Sequence, residues 1–412
     1  MNPVRAAAGI SRERRMPWLS ELEARLTVIR AQNRFRRRLV MDGPAAAEVT
    51  VGSERLLSFC SNDYLGLANH PCVTAAFKSA GDEYGVGAGA SHLITGHTRA
   101  HDALEDELAQ FVGAPRALLF STGYMANLAL GCALLDRHDL VVEDRLNHAS
   151  LIDAGLLSRA RRRRYPHRDT AAVERLLAGH RGGRGLILTD GVFSMDGDMA
   201  PVAALAAICR RCDAALVVDD AHGFGVLGAT GAGTLELAAE PIGWPVVMMG
   251  TLGKALGAFG AFIAADAVVI ETLIQRARTY IYTTAPPPAI AQATRAALRV
   301  LSDEPWRRHK VLEHTNRFRA GARQLDLTLV DSATPIQPIL VGDSSAAVTF
   351  SRALRERGFL VPAIRPPTVP AGSARLRVTF SAAHEPGHVD QLLEALASVR
   401  TAVGGGSVAA SE

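Results

Sequence analysis

Lys254 stands in Thr251-Leu252-Gly253-Lys254-Ala255-Leu256-Gly257, directly after the apolar run Pro245-Val246-Val247-Met248-Met249. A lysine at the end of a buried strand and wrapped in glycines is poorly solvated. Desolvation lowers its pKa, and the neutral amine is the nucleophile that condenses with an aldehyde. Upstream, Leu216-Val217-Val218-Asp219-Asp220-Ala221-His222-Gly223 closes another apolar run with an acid and an imidazole. Together these residues predict a pyridoxal 5′-phosphate site: Lys254 for the aldehyde, Asp219 for the pyridinium nitrogen and His222 beside the phenolic oxygen. The lysine segment is not a phosphate-binding P-loop, because Met248 stands where that motif needs glycine and Ala255 where it needs Ser or Thr. Taken singly, a Gly-Lys at a strand end is more often structural, and Asp219 and Asp220 would serve as helix caps. The ordered pair on two successive strand ends is what favours the chemistry.

These residues need elements to hold them. Ala117-Leu118-Leu119-Phe120, Leu140-Val141-Val142, Leu186-Ile187-Leu188, Leu216-Val217-Val218 and Val246-Val247-Met248-Met249 are short and continuously apolar. Such runs suit strands buried on both faces, with helices between them. The expected fold is α/β: a large domain with a mainly parallel sheet, and a smaller α+β C-terminal domain. In open sheets of this kind the ligand lies beyond the strands' C-terminal ends, where the candidate residues fall. We expect an N-terminal segment over 1–60, a disordered leader and then a helix packing with the small domain. The large cofactor domain spans 61–288 and ends at Pro286-Pro287-Pro288. A helix over 289–301 opens the small domain, 289–403, and 404–412 form a flexible tail.

Composition removes several classes. The chain has 412 residues and a net charge of +4, too modest to imply nucleic acid. It contains no long uncharged apolar run, which argues against a membrane span. Its five cysteines argue against a disulfide framework and for a reducing, cytoplasmic setting. Cys209-Arg210-Arg211-Cys212 is a single CxxC, read as packing on a helix. Residues 1–17, rich in Ala and Arg, read as a disordered leader in preference to an organellar transit peptide. The basic clusters at 34–38 and 161–164 read as solvated helix faces, with docking of an anionic substrate carrier as the minority reading.

Over residues 18–396 the chain resembles the α-oxoamine synthases, pyridoxal-phosphate enzymes of fold type I. The markers are Ser61-Asn62-Asp63-Tyr64-Leu65-Gly66-Leu67, Asn147-His148-Ala149-Ser150-Leu151, Gly191-Val192-Phe193-Ser194-Met195-Asp196-Gly197-Asp198, the Asp219 segment and the Lys254 segment. Ile364-Arg365-Pro366-Pro367-Thr368-Val369-Pro370 with Arg375-Leu376-Arg377 is more particular to the branch that condenses L-alanine with a pimeloyl thioester. The resemblance implies that activity, with coenzyme A or an acyl carrier protein as the thiol carrier, and a homodimer. It assigns catalysis to Lys254, His148, Asp219 and His222, with His148 stacked on the cofactor ring. Gly123, Tyr124, Ser194 and Thr251 match further cofactor contacts, the first two at a helix N-terminus suited to a phosphate. Thr283, in Tyr282-Thr283-Thr284, would reach the neighbouring subunit's phosphate. Arg36, His148 and Thr368 resemble substrate contacts, and Arg365 the arginine that takes the amino-acid carboxylate through its planar fork.

The glycine-rich stretch 85–97 departs from the family's pattern, with His92 and His97 at positions often held by other residues. It is no dinucleotide fingerprint, because no apolar strand precedes it. Condensation of glycine with an acyl-CoA is the nearest rival activity. An aminotransferase, or a non-catalytic subunit of this fold, would stand further off, the last because such subunits lose the lysine.

Overall fold

The computed structural model describes residues 16–32, 34–238 and 246–405, of which 401–405 as backbone only. The expected leader before Met16 and the tail from residue 406 lie outside the described residues. In chain order, α1 (Pro17–Ala31), β1 (Glu48–Val51), β2 (Glu54–Ser58), α2 (Pro71–Tyr84) and α3 (Arg99–Val112) come first. The central part follows as β3 (Arg116–Phe120), α4 (Gly123–Leu134), β4 (Leu140–Asp144), α5 (Ala149–Leu157), β5 (Arg161–Tyr165), α6 (Thr170–Ala178), β6 (Gly185–Asp190), α7 (Val202–Cys212), β7 (Ala214–Asp219), β8 (Val246–Thr251) and β9 (Ala261–Ala265). The rest is α8 (Ala267–Arg276), α9 (Arg278–Ile281), α10 (Pro288–Asp303), α11 (Trp306–Gln324), β10 (Ile336–Gly342), α12 (Ser344–Arg355), β11 (Phe359–Leu360), β12 (Ala363–Ile364), β13 (Ala374–Thr379) and α13 (Pro386–Gly405).

Seven strands form one sheet in the order β3-β9-β8-β7-β6-β4-β5. All run the same way except β9, which is antiparallel to both its neighbours. Its inner strands bury nearly every residue. Helices cover both faces, so these strands read as apolar runs without alternation. One face packs on α2, α3 and α10 through residues such as Leu104, Leu108, Ala297 and Leu301. Part of the other packs on α4 and α8 through Ala126, Leu130, Ile270 and Leu273.

Two three-stranded sheets, β1-β2-β11 and β10-β13-β12, build the smaller unit with α11, α12 and α13. Its core gathers Phe59, Phe318, Phe350, Phe380 and Leu396. β2 pairs in parallel with β11, so the chain starts on the small unit before entering the large one.

Several expectations need correcting. Residues 161–164 form β5, an edge strand paired in parallel with β4, and not a helix face. Charged side chains on an edge strand discourage further pairing, which is why the arginine run hides a strand. Residues 34–38 have no regular structure and are not helical. β9 was not anticipated, being only five residues long and rich in alanine. The helix expected over 289–301 is α10, but it packs in the core of the large unit against α2 and α3, so the break in packing falls after Asp303. α13 continues through Gly405. α1 is helical as expected but buries none of its residues, so the packing on the small unit expected of it is not seen.

Candidate active site

Five parallel strands deliver their C-terminal ends to one cavity of about 210 Å³. β3 leads to Gly123 and Tyr124, β4 to His148 and Ser150, and β6 to Asp190 and Ser194. β7 supplies Asp219 and His222, and β8 supplies Thr251 and Lys254.

Lys254 sits in the turn between β8 and the reversed β9. Leu252 N donates to Gly260 O at 2.9 Å, and Gly257 N donates to Lys254 O at 2.9 Å. Gly257 has φ +63°, and a Cβ there would come within 2.1 Å of Ala68 N. Glycine therefore lets the lysine turn lie against the segment that carries Tyr64. Lys254 Nζ lies 3.0 Å from His222 Nε2, and His222 Nδ1 lies 2.7 Å from Tyr64 Oη. Burial lowers the lysine's pKa to about 8, against the pull of the Asp219 and Asp190 carboxyls. Burial also drives His222 well below its usual range, and the charge on Lys254 adds to this. The neutral imidazole then accepts from Lys254 at Nε2 and donates from Nδ1 to Tyr64 Oη. The tyrosine hydroxyl in turn points at Asn62 Oδ1, 3.4 Å away.

Asp219 is held from behind. Asn127 Nδ2 donates to Asp219 Oδ2 at 2.7 Å, and Ala221 N donates to Oδ1 at 3.1 Å. Asn127 Nδ2 also reaches Ser150 Oγ at 2.8 Å, and Ser150 Oγ lies 2.7 Å from His148 Nδ1. His148 caps α5, and its backbone N–H donates to Asp190 Oδ2 at 2.9 Å. Asp190 is fully buried beside Asp219, and burial first, then its neighbour's charge, raises its pKa far above the usual carboxylate range. Asp220 turns away from the cavity and accepts from Thr234 N at 2.6 Å, with burial raising it to about 7. The two adjacent acids are thus separated by strand alternation, one facing the site and one packed behind it.

The first turn of α4 opens onto the cavity. Thr122 caps it by accepting from Met125 N at 3.2 Å, and Gly123 leaves the approach to the helix end unobstructed. Free N–H groups at a helix start suit a phosphate. The Tyr124 hydroxyl donates to Asp153. Thr251 Oγ1 donates to Gly260 O at 3.1 Å, which braces the lysine turn.

A wider cavity of about 760 Å³ extends outward from Lys254, His222 and His148 to Asn62, Thr368 and Arg377. Arg377 is only 5% exposed. Its Nε donates to Ser194 O at 2.6 Å, and its two Nη groups reach Asn62 Oδ1 at 3.4 Å. Among the described residues no carboxylate pairs with it. A buried guanidinium in that condition is a docking point for an external carboxylate.

That role was expected of Arg365, which the structure places elsewhere. Arg365 lines a separate surface cavity of about 560 Å³ with Gln32, Arg34 and Asp343. The reason is register: Ile364 pairs with Arg375, so Ile364, Arg375 and Arg377 share a face, and the next residue along falls on the other. Arg36 is exposed and lines none of the described cavities. Thr283, beyond the end of α9, likewise lines none of the described cavities. Thr368 lines the wider cavity that opens from Lys254. Asn62, Tyr64, Asn127, Ser150, Asp190 and Arg377 were not singled out. Asn62, Tyr64, Ser150 and Arg377 lay inside marked segments, whereas nothing in the sequence distinguishes Asn127.

The residues present fit pyridoxal 5′-phosphate. An amine of lowered pKa, an acid fixed by an amide, an imidazole wall and a helix start for the phosphate line one cavity. This is a pyridoxal-phosphate enzyme of fold type I. The sequence model of the class I and II aminotransferases matches residues 54–396. The solved serine palmitoyltransferase of Sphingomonas wittichii superposes with a TM-score of 0.89 at 30% identity, covering 94% of this chain and 98% of that one. A solved 8-amino-7-oxononanoate synthase from Francisella tularensis gives 0.72 at 32% identity, covering 83% and 97%. The 8-amino-7-oxononanoate synthase of Nitrosococcus oceani is 58% identical over 368 residues, 89% of this chain and 98% of its own. The chain belongs to the 8-amino-7-oxononanoate synthase family.

Proposed function

We propose that the chain condenses L-alanine with a pimeloyl thioester, giving 8-amino-7-oxononanoate, CO2 and the free thiol carrier. The observation that carries this reading is the buried, acid-free Arg377 in the same cavity as Lys254. Pyridoxal 5′-phosphate, when bound, supplies an aldehyde for amines and a conjugated ring that accepts an electron pair from the amino acid's Cα.

The chain's own residues do the rest. Lys254 Nζ is the amine for that aldehyde and, once L-alanine takes its place, the base that receives the Cα proton. Its lowered pKa leaves part of it neutral near pH 7 to 8. Asp219 lies in the cavity wall, where a carboxylate would hold a proton on a pyridine nitrogen. His222 hydrogen-bonds at the lysine side, and His148 walls the cavity and excludes water. Arg377 and Asn62 grip the alanine carboxylate, which is the one lost as CO2. Gly123 and Tyr124 offer N–H groups to the phosphate, while Ser194 and Thr251 shape the walls. Thr368 lines the outer cavity that receives the thioester.

The division of the chain into a large cofactor unit and a small C-terminal one, broken after Asp303, belongs to the same proposal, as does a cytoplasmic, homodimeric enzyme. Trp18, Leu22, Leu26 and Ile29 stand exposed along α1, an apolar stripe that a second copy would cover. Thr283 would then contribute to the neighbouring site. Among the described residues no helix is long and apolar enough to cross a membrane.

The test is a turnover assay with purified protein, L-alanine and a pimeloyl thioester. CO2 and free thiol released in equal amounts with L-alanine, and not with glycine, support the proposal. Turnover with glycine alone, or amino-group transfer without CO2, overturns it.

A further inference from the structure

The outer cavity that contains Lys254 continues into another of about 840 Å³, the two sharing Arg145, Leu146, Arg164, Met195 and Thr368. The result is one trough running from the reacting amine to the protein surface. It is walled by Leu146, Phe193, Met195, Val369 and Pro370. Arg145 and Arg164 line both cavities, where the two meet. Arg164 Nη2 donates to Arg145 O at 2.6 Å, and its Nε lies 3.8 Å from Glu143 Oε1, a carboxylate that Arg162 already engages. The side chain of Arg145 has no acid partner among the described residues. Of the other charges of the trough, Arg375 and Asp196 pair with each other, and Lys254 and Arg377 line its inner part.

An apolar trough with a surplus of guanidinium where its two cavities meet fits an acyl chain with a second acid at its end. We propose that Arg145, supported by Arg164, is the docking site for the distal carboxylate of an ω-carboxyacyl donor. This rests on the reading of the chain as an acyltransferase for such donors. Methylenes lie along the apolar wall, where the amides of a carrier arm would lack partners. The planar fork of Arg145 meets the terminal carboxylate in a charge-assisted pair. The trough thereby selects the donor by its far end, away from the reacting carbon.

Cofactor-loaded wild type and Arg145→Ala are compared with L-alanine and two donors of equal length: pimeloyl-CoA, and heptanoyl-CoA, which ends in a methyl group. Unchanged cofactor absorbance in the variant serves as the folding control. The proposal expects KM for pimeloyl-CoA to rise by about tenfold to a hundredfold, as for loss of a hydrogen bond to a charged group, with KM for heptanoyl-CoA unmoved. Arg145→Lys should recover part of the loss. Pimelate, titrated calorimetrically, should bind wild type and lose that binding in Arg145→Ala. Equal losses on both donors would assign Arg145 to the carrier arm and overturn the proposal, and no loss on either would make it a solvated surface arginine. If wild type fails to turn over pimeloyl-CoA with L-alanine, the parent reading fails instead, and the pimelate titration still decides the docking site.

Discussion

Asp190 and Asp219 end neighbouring parallel strands in direct register, so two carboxyls stand side by side under one lysine amine. The arrangement separates them by surroundings. Asp190 is pushed towards its neutral form by burial and by Asp219, and its oxygen is occupied by the His148 N–H. Asp219 instead accepts a hydrogen bond from Asn127 and faces the cavity.

Neutralising each acid in turn should therefore give unequal results. Asp219→Asn is expected to lower kcat by about a hundredfold or more, the scale of losing a charge needed for proton transfer. Asp190→Asn, which replaces a carboxyl pushed towards its neutral form by an isosteric amide, should stay within about tenfold of wild type. Steady-state kinetics with cofactor absorbance as a loading control checks both. Equal losses would contradict the division of roles.

The lysine's pKa near 8 sets a pH dependence for cofactor uptake. Only the neutral amine attacks an aldehyde, so the rate at which cofactor-free protein takes up pyridoxal 5′-phosphate should rise with pH and level off above about 8. The rise follows deprotonation of a group whose pKa burial has lowered. Stopped-flow absorbance measures it. Lys254→Ala should bind cofactor without any linkage that borohydride can trap.

Replacing Arg377 should be felt in the amino acid and not in the cofactor. Arg377→Lys loses the bidentate fork, and KM for L-alanine should rise by about tenfold to a hundredfold. Arg365→Ala, in its separate surface cavity, should leave that KM within about threefold. The reverse order would return the carboxylate to Arg365.

His167 lies between Asp144 and Asp198, 3.0 Å and 2.7 Å away. Burial opposes its charge, but the two carboxylates prevail and raise its pKa to about 9. Because the folded value exceeds the unfolded one, the stabilisation is complete below about pH 6.5 and is lost as pH climbs through about 9. Thermal melts should show wild type losing stability over that interval. His167→Gln should melt a few degrees lower at pH 6.5 and change less between the two pH values.

Much of this was readable in the sequence. The buried strands could be found because parallel sheets covered on both faces leave unbroken apolar runs, and Lys254, Asp219 and His222 because they follow such runs directly. What escaped detection depends on long-range contacts. β5 is an arginine run made a strand only by pairing with β4. α10 looks like the opening of the small unit until its packing on α2 and α3 is seen. The choice of Arg377 over Arg365 turns on the face that each presents, fixed by the pairing of β12 with β13. Asn127 matters only because folding brings α4 beneath Asp219.

The segment around Tyr64 belongs to both units at once. Tyr64 O accepts from Ala382 N at 2.8 Å, and Ser381 Oγ donates to Asp63 O at 2.6 Å, while the Tyr64 hydroxyl meets the histidine that touches Lys254. A tilt of the small unit would therefore pull on a chain of three side chains ending at the nucleophile.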